Sequence, residues 1–192
     1  PEVQRYYPVL ASQVERLNAL MRELLDYGKP AALVLEDTEA AGLVQVALDL
    51  ARPLATAEDV ALSTSAVRPL PLIRADRQRV VQVLHNLIVN AVQHSGRGTT
   101  VEVVLQPATL RDARAVAFLV RDRGPGFSDG DEARVFEPFF SRRRGGTGMG
   151  LALAHRLVHD HGGEIVAANR EGGGACLRVV LPAAGDGTRA TT

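Results

Sequence analysis

Four neutral amides, Gln82, Asn86, Asn90 and Gln93, recur at steps of four and three. On a helix that spacing gathers them on one face. An amide offers an oxygen to a cation and a nitrogen to a phosphate without adding charge. An ordinary solvated helix face can carry the same residues. A second cluster is Asp122-Arg123-Gly124-Pro125-Gly126. A carboxylate followed by two glycines lets a flat ligand approach the backbone closely, and a plain Gly-Pro turn reads alike. It is no dinucleotide fingerprint, because Asp129 stands where a third glycine is needed. The third is Gly145-Gly146-Thr147-Gly148-Met149-Gly150-Leu151. Glycines opening a helix free backbone N–H groups to face an anion, and the helix dipole favours negative charge there. No Gly-Lys-Ser/Thr follows, which excludes a Walker-type phosphate loop. A mobile hinge is the alternative.

These residues need elements to hold them. Asp76 is placed to cap a helix over 77–93, with Val80, Leu84, Leu87, Ile88 and Ala91 as its apolar stripe. Residues 101–106 and 115–122 read as neighbouring strands, the second delivering Asp122. Residues 123–147 read as a long loop, 149–161 as a helix, and 164–168 with 175–181 as two closing strands. Upstream, 41–54 reads as a helix, and 60–64 and 70–74 as short strands. Residues 183–192 read as a frayed tail. The expectation is an α+β fold, a two-layer α/β sandwich in which helices cover a mixed sheet. Ahead of it, residues 8–27 form an amphipathic helix with a seam of Leu10, Val14, Leu17, Met21 and Leu24. Gly28 and Pro30 are read as stopping that helix. It is either a dimerisation helix or a helix packed on its own domain.

The 192 residues suit one domain and an appendage. Twenty-two basic residues balance twenty-two acidic ones, so net charge makes no case for nucleic acid. No apolar run reaches the roughly 20 residues that span a bilayer. The one cysteine, Cys176, excludes an internal disulfide and a Cys-rich metal site. It sits in an apolar strand and is read as buried. A cytoplasmic setting is expected, with membrane attachment of a longer parent left open. His155 and His159 share a helix face, but His161 is rotated away and no Cys or carboxylate completes a zinc tetrahedron. All three are read as helix-surface histidines.

An Asn-x-x-x-Asn helix, an Asp-x-Gly-x-Gly turn and a Gly-x-Gly-x-Gly loop, in this order, resemble the ATP-binding catalytic domain of bacterial two-component sensor histidine kinases. That family belongs to the gyrase, heat-shock chaperone and histidine kinase ATPase superfamily. Val135-Phe136-Glu137-Pro138-Phe139-Phe140 looks like its phenylalanine-rich box, and His161-Gly162-Gly163 matches the run after its last glycine loop. The resemblance covers about residues 44–182. Residues 8–27 look like the second helix of the family's dimerisation and phosphotransfer domain. The implied division is a partial phosphotransfer domain over 1–30, the catalytic domain over 31–182 and a flexible tail over 183–192.

Carried onto this chain, the resemblance implies that Asp122 accepts a hydrogen bond from the adenine amino group. Gly124 and Gly126 let the base approach. Asn90 ligates Mg²⁺, and Asn86 lies one turn earlier. Gly146, Thr147, Gly148, Met149 and Gly150 wrap the phosphates, and Leu151 begins the supporting helix. Residues 127–147 form a lid, from which one of Arg142, Arg143 and Arg144 reaches the γ-phosphate. Arg143 is counted among the nucleotide-binding residues, and which of the three makes that contact stays open. Where the family often has a basic residue three places after the second asparagine, this chain has Gln93, followed by His94 as a phosphate donor. Relatives that hydrolyse ATP carry a glutamate at the place of Asn86, and an amide cannot act as a base. The implied reaction is therefore γ-phosphoryl transfer from Mg-ATP to a histidine. The family's acceptor histidine, followed by an acidic residue and a proline, matches none of His85, His94, His155, His159 and His161. The acceptor helix is thus absent, and the chain alone should not phosphorylate itself. Implied partners are that phosphotransfer helix, a response regulator and a second copy in a weak homodimer through residues 8–27. A nucleotide-gated protein-interaction module without phosphoryl transfer is the alternative.

Overall fold

The computed structural model describes residues 32–143 and 146–185, together with Val14, Leu17, Leu20, Met21, Leu24, Leu25 and Gly28. In chain order the elements are β1 (Glu36–Thr38), α1 (Ala40–Ala57), β2 (Ala61–Ala66), β3 (Ile73–Ala75), α2 (Arg77–His94), β4 (Thr100–Leu110), β5 (Ala113–Arg121), α3 (Asp131–Arg134), α4 (Gly150–Asp160), β6 (Glu164–Asn169) and β7 (Ala175–Pro182). The main sheet runs β2-β4-β5-β7-β6. β2 is parallel to β4 and the other pairs are antiparallel, so the sheet is mixed. β1 and β3 make a separate two-stranded ribbon.

Alternation along β4 buries Val101, Val103 and Leu105 under the helices. Leu43 and Val44 of α1, Leu84, Leu87 and Ile88 of α2, and Leu153 and Leu157 of α4 close over that face. β5 is buried continuously from Ala115 to Val120, as a central strand covered on both sides must be. Its opposite face packs a smaller cluster of Ala115, Ala117 and Leu119 with Leu110 and Val180. This is the expected two-layer α+β sandwich.

The differences from expectation have local causes. α1 runs three residues past Leu54, because Ala55 is buried against the core. The strand expected over 70–74 is only Ile73–Ala75, since Pro69 and Pro71 supply no N–H to a ladder. β4 and β5 extend into one long hairpin, whose turn at Arg111 and Asp112 has φ of 49° and 64°. Those are the left-handed values of the tight hairpin turn. The presumed loop over 123–147 contains α3. Ala183 bridges Ile73, and the Ala184 N–H donates to the Leu72 carbonyl at 2.7 Å, so the tail begins pinned and not frayed. Its remainder, 186–192, lies outside the described residues, as do Leu10, Lys29 and Pro30. Gly28 is helical, and residues 29–31, where the helix was expected to stop, lie outside the described residues. Among the described residues no helix is long and apolar enough to cross a membrane.

Candidate functional site

α2 carries the amides, and its first turn is tied down three ways. Asp76 caps it through Oδ1, which accepts the Arg79 N–H at 3.1 Å, while Oδ2 accepts the Val34 N–H at 3.1 Å. The Asp76 N–H donates to His161 Nε2 at 3.1 Å, and His161 Nδ1 lies 2.6 Å from the Leu157 carbonyl. The imidazole is therefore a strut between the end of α4 and the start of α2. It is buried, which corrects its reading as a surface histidine. Further along α2, Asn86 Nδ2 donates to the Gly150 carbonyl at 3.0 Å, joining the amide face to the first residue of α4. His94 Nδ1 lies 2.8 Å from the Asn90 carbonyl, leaving Nε2 as its outward nitrogen.

Asp122 follows β5 and is only 5% exposed. A buried carboxylate needs donors. Oδ1 accepts the N–H groups of Gly124 at 2.8 Å and Ala175 at 3.0 Å. Among the described residues Oδ2 accepts none, so one charged oxygen is left for a ligand. Gly124 has no room for a side chain, since a Cβ would run into the His94 carbonyl. Its glycine thus serves packing of the turn on α2, not approach of a ligand.

The stretch expected to form a lid contains α3. Asp131, 4% exposed, accepts two hydrogen bonds from the Arg142 guanidinium, through Nε and, at 2.9 Å, through Nη2. That pairing holds the Asp131 carboxyl below the usual carboxylate range. The Arg134 guanidinium lies 4.6 Å from the centre of the Phe140 ring. The Phe139 N–H donates to the Gly148 carbonyl at 3.1 Å, and Phe139 itself has φ of 66°. With Arg142 engaged, Arg143 is the lid cation whose guanidinium has no partner among the described residues. Arg144 and Gly145 lie outside them.

A cavity of about 520 Å³ opens between these segments, within the usual range for small-molecule sites. Asn86, Asn90, Gln93, His94, Asp122, Gly126, Arg143, Gly146, Thr147, Gly148, Gly150 and Leu151 line it. Three of the expected residues do not. Gln82 instead accepts from Arg79 Nη1 at 3.1 Å, Gly124 lies behind the turn, and Met149 is fully buried beneath the loop. The sequence reading missed the apolar walls, Val89, Phe127, Val135 and Phe140, and the floor residue Ala175. Phe140 was visible in the phenylalanine-rich run. Ala175 carried no signal at all.

The donor set suits a hard cation that keeps most of its water. Asn90 lines the cavity and its carboxamide bonds no described residue. Among the described residues no group of three or more His, Cys, Asp or Glu forms a metal cage. Mg²⁺ is commonly held by one or two protein oxygens with phosphate oxygens and waters, and the residues present fit that pattern.

Residues 75–185 match the family described as histidine kinase-, DNA gyrase B-, and HSP90-like ATPase. The chain is 34% identical over 181 residues to sensor histidine kinase ZraS of Escherichia coli strain K12, covering 94% of this chain and 38% of ZraS. It is 31% identical over 183 residues to signal transduction histidine-protein kinase AtoS of the same strain, covering 95% of this chain and 29% of AtoS. The chain thus spans well under half the length of these curated relatives. Its structure resembles full-length ShkA in complex with AMPPNP, with a TM-score of 0.78, 28% identity, and coverage of 95% of this chain and 39% of ShkA. Histidine kinase ThkA, solved in complex with response regulator protein TrrA, shares the fold with a TM-score of 0.77 at 24% identity, over 95% of this chain and 52% of ThkA.

Proposed function

This chain belongs to the family of histidine kinase-, DNA gyrase B- and HSP90-like ATPases, and we propose that it is the ATP-binding catalytic region of a sensor histidine kinase. The observation that carries this reading is the buried Asp122 carboxylate, with Oδ1 satisfied by backbone and Oδ2 left over. It stands across one cavity from the amides of α2. Oδ2 accepts the adenine amino group. The triphosphate then runs toward the backbone N–H groups of residues 146–150 and the start of α4, where the helix dipole favours negative charge. Arg143 reaches the terminal phosphate, and Gln93 and His94 supply further donors from α2.

Asn90 holds Mg²⁺, which neutralises phosphate charge when bound. Asn86 has committed its Nδ2 to Gly150, and an amide offers no base to activate water. The chain's residues therefore bind, orient and shield the nucleotide, and these are the effects that dominate phosphoryl transfer. The nucleophile is a histidine nitrogen on a phosphotransfer helix supplied from outside this chain. It attacks γ-phosphorus as ADP leaves.

Residues 1–30 are the second helix of the dimerisation and phosphotransfer domain, 31–182 the catalytic domain and 183–192 a tail. Val14, Leu17, Met21 and Leu24 are 50–59% exposed, which supports a weak homodimer through this seam. A response regulator is the downstream partner, and the setting is cytoplasmic. Calorimetric titration with Mg-ATP tests the nucleotide site. Incubation with a separate phosphotransfer domain that carries the acceptor histidine tests the transfer. Saturable binding without phosphorylation of that domain would leave a nucleotide-gated interaction module.

A further inference from the structure

Asn169, the last residue of β6, holds the lid backbone at two points. The Phe127 N–H donates to Asn169 Oδ1 at 2.7 Å, and Asn169 Nδ2 donates to the Phe127 carbonyl at 3.0 Å. Nδ2 also donates to Glu132 Oε1 at 3.2 Å, at the start of α3. The carboxamide thus pairs with Phe127 as a neighbouring strand would, in a stretch that has no strand beside it. Gly126, immediately before, has φ of 76°, and a Cβ there would run into Asn169 Oδ1. The adjacent Arg170 donates from Nη1 to the Asp122 carbonyl at 2.7 Å, with Nη2 3.8 Å from Glu102 Oε2. The β6–β7 hairpin therefore backs the whole Asp122–Phe127 turn, Arg170 at its start and Asn169 at its end.

Gly126 and Phe127 line the cavity, whereas Asn169 does not. A turn with two glycines is conformationally free, and fixing it before the ligand arrives lowers the cost of binding. We propose that Asn169 is a positioning residue for nucleotide binding, acting through the Gly126–Phe127 backbone and the root of the lid. The inference rests on the nucleotide-site reading above.

The test is Mg-ATP titration of the intact chain and its variants, each at a temperature where a far-ultraviolet melt shows it folded. Asn169→Ala should weaken binding about tenfold through loss of both backbone hydrogen bonds. In Asn169→Asp the introduced carboxylate still accepts the Phe127 N–H but opposes the Phe127 carbonyl and Glu132, so binding should be weaker still. Adding Glu132→Gln to that variant supplies a donor to the new carboxylate and should recover most of the loss. Gly126→Ala and Asn169→Ala should be less than additive, because removing the carboxamide clears the space that the new Cβ needs. Unchanged affinity in folded variants, with only their melting temperatures lowered, would mean a structural role and overturn the proposal. If Asn169→Ala does not fold, the rescue of Asn169→Asp by Glu132→Gln decides alone. Failure of the unaltered chain to bind would remove the nucleotide site as well. Binding by the unaltered chain with indifferent variants removes only the role of Asn169.

Discussion

His161 Nε2 accepts the backbone N–H of Asp76 at 3.1 Å across 85 positions of sequence. The same Asp76 caps the helix that carries Asn86 and Asn90, and His161 closes the helix that begins at Gly150. Two walls of the cavity are thereby fixed to one another at their far ends, while Asn86 and Gly150 fix them at the cavity itself.

His161→Ala should cost about 1–3 kcal/mol, because it leaves the Asp76 N–H without its buried partner. Asp76→Ala should cost about 1 kcal/mol as a lost N-cap. Urea unfolding measures both, and an effect within a few tenths of a kcal/mol for His161→Ala would contradict the strut.

Asp122→Asn should leave the fold intact, since its Oδ1 can still accept from Gly124 and Ala175. It removes a charged hydrogen bond worth about 1.5–3 kcal/mol. Calorimetry should therefore show Mg-ATP binding weakened roughly ten- to a hundredfold.

The two lid arginines should separate. Arg143→Ala is expected to weaken ATP binding roughly tenfold and to leave adenosine binding unchanged. Arg142→Ala releases α3 from the lid, so it should weaken both ligands and speed trypsin cleavage of the lid. The comparison is a paired titration with ATP and adenosine.

Gly148 has φ of 70°, and a Cβ there would strike the backbone of Phe139 and Phe140. Gly148→Ala should cost about 1–2 kcal/mol for the left-handed backbone alone. Because the displaced segment lines the cavity, ATP affinity should fall more than tenfold. Titration beside a thermal melt tests this.

Acid should destabilise the domain in two stages. Burial holds the His85 imidazole below its ordinary value of 6.5, so the unfolded chain takes that proton first. Stability is full above 6.5 and declines as pH falls through it. Asp131 is held low by Arg142, against an ordinary value of 3.8. Its contribution is present above 3.8 and is lost as pH falls through the lowered folded value. Urea midpoints measured from pH 7 to 5 should drop, and His85→Gln should flatten that drop. Lid proteolysis should rise only at the lower, carboxylate stage.

What could be read from the chain was what repeats over short range. Val80, Leu84, Leu87 and Ile88 against Asn86 and Asn90 define one helix with two faces, whatever surrounds it. The alternation at Val101, Val103 and Leu105 likewise defines a strand with one covered face. Glycines around Asp122 and at 146–150 mark backbone that must pass close to something. Hence the α+β sandwich, the cap at Asp76 and the three segments bordering the cavity were legible.

What only the tertiary structure decided is which distant groups meet. That Ala175 donates to Asp122 Oδ1, that Asp131 holds Arg142, and that Asn169 grips Phe127 are contacts across 11 to 53 positions, and they leave Oδ2 and Arg143 without a side-chain partner among the described residues. Gln82 and Met149 were set aside by the same packing, although their local patterns matched those of their neighbours. Periodicity fixes the direction of a side chain relative to its own element. The partner it finds depends on how elements stack to bury apolar surface, and that information is spread over the whole core.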